Sequence, residues 1–274
     1  MLRLGRHISV AGGIEMSFER AEALGCTAMQ LFVTNPRSWA MGPMDQASVD
    51  RYSERSKASS VKDVIAHMPY LPNLSSSDKA IYAKSITSLK ANLERCELLG
   101  IGHLVTHMGS HMGHGTEKGL DNISTAIDEV DGVALGVKIL LENEAGHSNS
   151  VGADLVEMKK VYDKVGSKRL GFCLDTCHMF AMGYDIRDHK VLREIDSAID
   201  LRNVHAIHLN DAKMELGSKR DRHANIGMGC IGLEGFRSFL SYGAMSSKIL
   251  VLETPFDDKV DEKEEIASIR GVVK

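Results

Sequence analysis

Nine side chains of metal-ligating type are spread along this chain: His67, His107, Glu142, Asp175, His178, His208, Asp221, His223 and Glu253. Most of them follow one rule of placement. His67, His107, Glu142, Asp175 with His178, His208 and Glu253 each stand at or just after the carboxyl end of a short apolar run, and Asp221-Arg222-His223 falls in the long loop after the run that His208 closes. A single His at such a position is ordinarily a hydrogen-bonded structural residue. Six run ends in order, each bearing His, Asp or Glu, point instead to one convergent site. Five imidazoles and four carboxylates are too many donors for one ion and suit two or three ions that share bridging carboxylates. This donor set fits Zn²⁺ better than Mn²⁺ or Fe²⁺.

Other residues of the same types read as bystanders. His205 and His208 lie three apart and so face opposite sides of a strand, and only His208 is near the carboxyl end. His103 shares a face with His107 but starts its run. Both His103 and His205 therefore read as structural. Glu144 shares a face with Glu142 but falls in the following loop. His111, His114 and His147 are loop residues outside the ligand set. Cys173 and Cys177 read as small packing residues inside a barrel, on the same parity as Asp175.

The elements that must carry these residues alternate along the chain. Runs suited to buried strands occupy Leu4–Val10, Ala28–Thr34, Val61–Met68, Leu104–Met108, Val137–Asn143, Leu170–Thr176, Val204–Asn210 and Ile249–Thr254. They are continuously apolar, as strands buried on both faces are. Helical stretches follow at Ser17–Leu24, Ser77–Leu99, Thr116–Val130, Ala153–Val165 and Asp188–Leu201, with Gly100 as a stop signal. Eight strand–helix units predict an α/β fold, a single (β/α)₈ TIM barrel over residues 1–274, with its site at the C-terminal face of the strands. A doubly wound open sheet is the competing architecture. Its dinucleotide-binding form is disfavoured because Ala11-Gly12-Gly13 lacks the G-x-G-x-x-G spacing.

Composition narrows the class. The chain has 274 residues, 43% hydrophobic and 26% charged, as soluble globular domains do. Apolar runs are too short to span a membrane, and no basic segment precedes an apolar stretch as in a secretory signal. Five Cys argue against a disulfide framework and for a reducing, cytoplasmic setting. A formal net charge of −4 does not by itself suggest a nucleic-acid binder. Setting the four candidate ligand carboxylates aside leaves 33 acidic residues against 33 basic ones. Divalent ions held by those carboxylates would make an anion-attracting mouth in a near-neutral protein, with Arg37, Lys213, Lys219, Arg220 and Arg222 as candidates for its rim.

The segments HISVAGG (7–13), NPRSW (35–39), HMPYLPNL (67–74), THMGSH (106–111), LENEAG (141–146), CLDTCHMFAMGYDI (173–186), HLNDAK (208–213), GSKRDRHANIGMGCIG (217–232) and LETP (252–255) together resemble endonuclease IV, the zinc-dependent apurinic/apyrimidinic endonuclease family. They run in family order over nearly the whole chain. The resemblance implies three Zn²⁺ ions: one held by His67, His107 and Glu142, a second by Glu142 as bridge with Asp175, His208 and Glu253, a third by His178, Asp221 and His223. It implies that Arg37, Tyr70 and Leu71 enter double-stranded DNA at an abasic site; otherwise Tyr70-Leu71-Pro72 would read as a packed loop. It implies base-excision repair by hydrolysis of the phosphodiester 5′ to the lesion, leaving a 3′-hydroxyl, with Glu142 the most sensitive residue. Pro36, Met68 and Cys230 depart from residues common in relatives, and none is a ligand. The chain is expected to act as a monomer. The main alternative is a metal-dependent sugar isomerase or epimerase on a related barrel, which would leave His178, Asp221 and His223 surplus. A zinc-stabilised scaffold that binds DNA ends or a partner is a second alternative.

Overall fold

The computed structural model describes residues 2–166, 168–256 and 260–273. Its strands, in chain order, are β1 (Arg3–Arg6), β2 (Ala28–Leu31), β3 (Asp63–His67), β4 (His103–His107), β5 (Lys138–Glu142), β6 (Leu170–Asp175), β7 (Val204–His208), the short pair β8 (Asp211–Ala212) and β9 (His223–Ala224), and β10 (Ile249–Leu252). Eight of them form one sheet in the order β1-β10-β7-β6-β5-β4-β3-β2. Every neighbouring pair in it is parallel. The two ends of that order meet. Thr27 N–H donates to the Leu4 carbonyl and Ile8 N–H to the Gln30 carbonyl, both at 2.8 Å, and His7 bridges Gln30 in parallel. The sheet thus curls into a nearly closed barrel, as the apolar runs predict.

Gly5 makes the closure possible. A Cβ built on it would lie 1.7 Å from the Ala28 carbonyl oxygen, so no side chain fits where β1 approaches β2. Inside the barrel, Ala28, Ile65, Val105, Leu140, Cys173, Ala206, Ile249 and Val251 pack into their own cluster. The outward faces of the strands pack against the helices in a second, larger core that includes Phe18, Phe172, Phe236 and Phe239.

The strands are shorter than their apolar runs. Beyond Arg6, Leu31 and His208 the regular strands end, single bonds such as Ile8 N–H to Gln30 and Leu209 N–H to Val251 carry the pairing a step further, and the chain passes into the loops of the mouth. The five expected helices are present at Met16–Ala23, Lys79–Leu99, Thr116–Asp128, Leu155–Val165 and His189–Ile199. Asp78 caps the longest by accepting from Ala80 N–H and Ile81 N–H, and Gly100 ends it at φ 69°. Four more helices, Gln46–Ala58, Thr176–Met182, Gly232–Ser241 and Glu262–Val272, fill stretches without so clear a pattern. The second of these corrects one expectation. Cys173 does lie inside the barrel, but Cys177 lies on a helix and packs into the outer core, because β6 stops at Asp175 and the chain turns at once into Thr176–Met182.

Candidate metal centre

Parallel strands that all start at one rim of a barrel end together at the other. That register brings His67, His107, Glu142, Asp175 and His208, the last residues of β3 to β7, to one mouth. Cα partners His107↔Glu142 and Asp175↔His208 stand directly side by side. Glu253 follows β10 immediately. His178 arrives from the first turn of the helix that Asp175 caps through His178 N–H, at 2.8 Å. Asp221 and His223 come from the loop after β7, where the β8–β9 pair sets Ala212 opposite His223.

All nine predicted residues converge. Donor atoms of His67, His107 and Glu142 lie within 4.8 Å of one another, as do those of Glu142, Asp175, His208 and Glu253, and those of His178, Asp221 and His223. Glu142 belongs to two groups through different oxygens. Its Oε2 is 3.0 Å from His67 Nε2 and 3.6 Å from His107 Nε2, while Oε1 is 2.7 Å from His208 Nδ1. In the third group, Asp221 lies 3.4 Å from His178 Nε2 and 3.1 Å from His223 Nε2. The His223 Nε2 atom is also 3.7 Å from Asp175, so the groups adjoin. Cys177 comes within the same reach of Asp175 and His223. Burial pushes its thiol up and keeps it protonated, so it reads as packing.

The cluster is buried and electrostatically coupled. Glu142, Asp175 and His208 have no exposed surface and His67 and His178 are 3% exposed. Burial alone would raise Glu142, but His107 and His208 outweigh it and hold the carboxyl well below its ordinary range. Burial would likewise depress the imidazoles, yet the carboxylates Glu142 and Glu144 push His107 up to about 10 and Asp175 and Asp221 push His223 up to about 9. His178 and His208 are raised in the same way against burial. Protons therefore occupy positions that a cation could take.

The residues fit such cations. Ligands at 2.0–2.1 Å around a tetrahedral zinc stand roughly 3.3 Å apart, close to the separations here. The buried His223 Nε2 has no hydrogen-bond partner among the described residues. The imidazoles are also backed as ligands usually are: His67 Nδ1 donates to the Met68 carbonyl at 2.7 Å, His178 Nδ1 to the Asn143 carbonyl at 2.8 Å, and His223 Nδ1 faces the Glu253 carbonyl at 3.2 Å.

A cavity of about 660 Å³ opens over the cluster, lined by His7, Arg37, Tyr70, His107, His178 and His223 among others. Tyr70 is 66% exposed on its rim and stacks edge-on to Phe32. Leu71 is exposed next to it, outside the lining. Of the five basic residues expected at the rim, Arg37 lines the cavity, whereas Lys213 and Arg220 line a separate surface hollow. His103 and His205 stack on each other at the start of their strands, far from the mouth in register. His111 Nδ1 accepts from Gly113 N–H and Gly115 N–H and shapes its own loop.

Sequence reasoning passed over residues behind the cluster. Glu144 approaches His107 Nδ1 at 3.0 Å, and Asn210 donates to Asp175 at 2.6 Å. Gln30 and His7 meet Glu253 and His208. His7 obeys the strand-end rule once β1 is seen to stop at Arg6; placing the strand end at Val10 hid it. Gln30 and the Asn side chains carry no comparable sequence signal.

Fold and site together define a parallel barrel with a candidate metal site at its mouth. The family model described as "Xylose isomerase-like TIM barrel" matches residues 18–271. A protein of Methanoculleus marisnigri named "Probable endonuclease 4" is 43% identical over 277 residues, 98% of each chain. The crystal structure of endonuclease IV from Thermus thermophilus superposes with a TM-score of 0.88 at 34% identity, covering 99% of this chain and 98% of that one. The chain belongs to the endonuclease IV family. A 3-keto-D-glucoside 4-epimerase from E. coli matches with a TM-score of 0.75 at 11% identity over 99% of both chains, a likeness of fold alone.

Proposed function

We propose that this chain is a zinc-dependent AP endonuclease that binds double-stranded DNA and hydrolyses the phosphodiester 5′ to an abasic nucleotide, leaving a 3′-hydroxyl, in base-excision repair. The observation that carries the reading is the division of nine buried or half-buried donors into three adjoining groups, two of them sharing Glu142 and the third meeting them where His223 approaches Asp175. His67, His107 and Glu142 would hold one ion; Glu142, Asp175, His208 and Glu253 a second; His178, Asp221 and His223 a third. Bound zinc would neutralise the phosphate and lower the pKa of water toward 7. The chain supplies the rest. Glu142 turns one oxygen to His67 and His107 and the other to His208, and would so contribute to both of the first two ions. Asp175 and Asn210 lock the β6–β7 side of the mouth. Arg37 brings positive charge to the cavity, and Tyr70 presents an aromatic face at its rim.

An abasic nucleotide has no base to unstack, so its extrusion costs less than flipping an intact one. Tyr70 and Leu71 favour that state by filling the gap in the stack. The chain acts as a monomer in the cytoplasm on this reading; no helix among the described residues is long and apolar enough to cross a membrane. A sugar isomerase would use one or two ions and leave the His178–Asp221–His223 group idle. The decisive experiment pairs metal analysis with cleavage of a duplex bearing one abasic analogue. Near three zinc ions per chain and a single 5′ incision with a 3′-hydroxyl are expected. Near one ion per chain and no incision would overturn the assignment.

A further inference from the structure

Four of the five imidazoles in the cluster turn Nε2 toward the carboxylates, and each has a carbonyl or carboxylate behind Nδ1. His208 is the exception. It turns Nδ1 toward Glu142, and its Nε2 lies 2.9 Å from the side-chain oxygen of Gln30. Gln30 is completely buried on β2, across the barrel. Its amide nitrogen lies 2.5 Å from Glu253 Oε1 and 3.1 Å from His7 Nδ1.

These contacts leave one self-consistent arrangement. The Glu253 carboxylate can only accept, so the Gln30 NH₂ must face it. The second N–H of that group then meets His7 Nδ1, which must be the unprotonated nitrogen of a neutral ring. The Gln30 oxygen is thereby turned to His208 and accepts its Nε2–H. A protonated Nε2 leaves Nδ1 as the nitrogen free to bind a cation once its own proton is lost. Reversing the amide would set its oxygen against a carboxylate. Glu253 thus fixes Gln30, and Gln30 fixes the tautomer and ring orientation of His208.

We infer that Gln30 is the positioning residue of the ion held by Glu142, Asp175, His208 and Glu253: one side chain orients two of its four ligands at once, with His7 completing the amide's bonds. The inference rests on the metal-centre reading above and adds a residue that touches no ion. Backbone carbonyls stand behind His67, His178 and His223, and the Glu144 carboxylate behind His107; behind His208 stands a neutral side-chain amide, which can be replaced.

The test uses the full chain, Gln30→Met, which keeps the volume and removes both bonds, and Gln30→Glu, which keeps an acceptor for His208 but repels Glu253. Zinc content is measured under graded chelator competition. Loss of outer partners of this kind lowers metal affinity about 10- to 100-fold. Gln30→Met should therefore lose one of the bound ions that much more readily than the parent and keep the others. Gln30→Glu should lose it at least as readily, although its His208 bond survives. In the zinc-loaded parent, ¹⁵N spectra of the imidazoles should show His208 protonated at Nε2, a readout that needs no variant to fold. A parent that binds no zinc overturns the metal-centre reading, and this inference with it. A zinc-loaded parent with His208 protonated at Nδ1, or a folded Gln30→Met that holds all its zinc as tightly as the parent, overturns the inference alone.

Discussion

Asp211 is none of the nine candidate donors, yet replacing it should weaken one group of them. Its carboxylate is fully buried and accepts from the backbone N–H of Ala212, Gly227, Gly229, Ile231 and Gly232 at 2.8 to 3.4 Å. It pins both ends of the segment that carries Asp221 and His223. Gly229 permits this approach, since a Cβ there would fall 2.4 Å from Asp211 Oδ1. In Asp211→Asn the new NH₂ must replace one oxygen. Facing Gly227 and Gly229 it opposes two donors; facing Ala212 and Ile231 it opposes two others. Each buried N–H left without an acceptor costs roughly 1–3 kcal/mol. Gly227 is exposed and Gly229 half-buried, so water recovers part of that on their side. A loss of about 2–4 kcal/mol remains, a large share of the 5–15 kcal/mol that typically separates native from unfolded states.

That loss should fall on the segment 213–232 before the barrel, because the barrel ladder does not run through Asp211. Local opening then separates Asp221 and His223 from His178, while His67, His107 and Glu142 stay on their strands. The assay is hydrogen exchange of 213–232 alongside zinc content under a chelator. Faster exchange confined to that segment, and one ion lost ahead of the others, are the expected pair of results. Unchanged exchange in 213–232, or loss of all ions together, would refute the reasoning.

Glu142→Gln keeps the shape of a fully buried side chain but removes the charge shared by two groups; it should abolish incision and lower bound zinc while circular dichroism still reports a folded barrel. Replacing Tyr70 and Leu71 with Ala should leave the slope of log K against log salt unchanged, whereas Arg37→Ala should reduce it by about 0.9 if Arg37 meets phosphate. The same double variant should lose about a few kcal/mol of discrimination between abasic and intact duplex; retained discrimination would return the loop to a packing role. Metal-free protein should take up zinc with proton release near pH 7.5, because His107 and His223 are held protonated up to about 10 and about 9 and must be neutral to bind metal. Their stabilisation of the metal-free fold is complete below about pH 6.5 and fades as pH rises through those values, so zinc affinity should climb with pH over the same window. Calorimetric heats that do not vary with buffer ionisation enthalpy would count against it.

The barrel was legible because parallel strands buried on both faces cannot hide their composition: the eight runs from Leu4 to Thr254 are predominantly apolar. The ligands were legible for the same reason. A His or Glu that closes such a run stands out, and parity together with nearness to the carboxyl end separated His208 from His205. What escaped was set by backbone geometry with no hydrophobic signature. The turn from β6 straight into a helix moved Cys177 out of the barrel. The early end of β1 made His7 a mouth residue. Gln30 is a polar residue inside a buried strand, and its purpose appears only when β2 closes against β1 and faces β7 across the mouth.

The two kinds of candidate ligand differ in how firmly the fold holds them. His67, His107, Glu142, Asp175 and His208 are terminal residues of strands whose ladders fix their spacing. Asp221 and His223 ride on a segment held by Asp211, the two-residue pair β8–β9 and little other regular structure. Asp221 is also the most exposed of the nine donors, at 40% of its side chain, although His107 is close behind at 36%. Local opening is cheapest where few backbone bonds and little apolar surface are lost. The His178–Asp221–His223 group should therefore exchange its ion most readily. It is also the group that a sugar-isomerase reading leaves idle. On the proposed nuclease reading, the group that a sugar isomerase would not need is thus built largely on a loop, outside the ladder that holds the other donors.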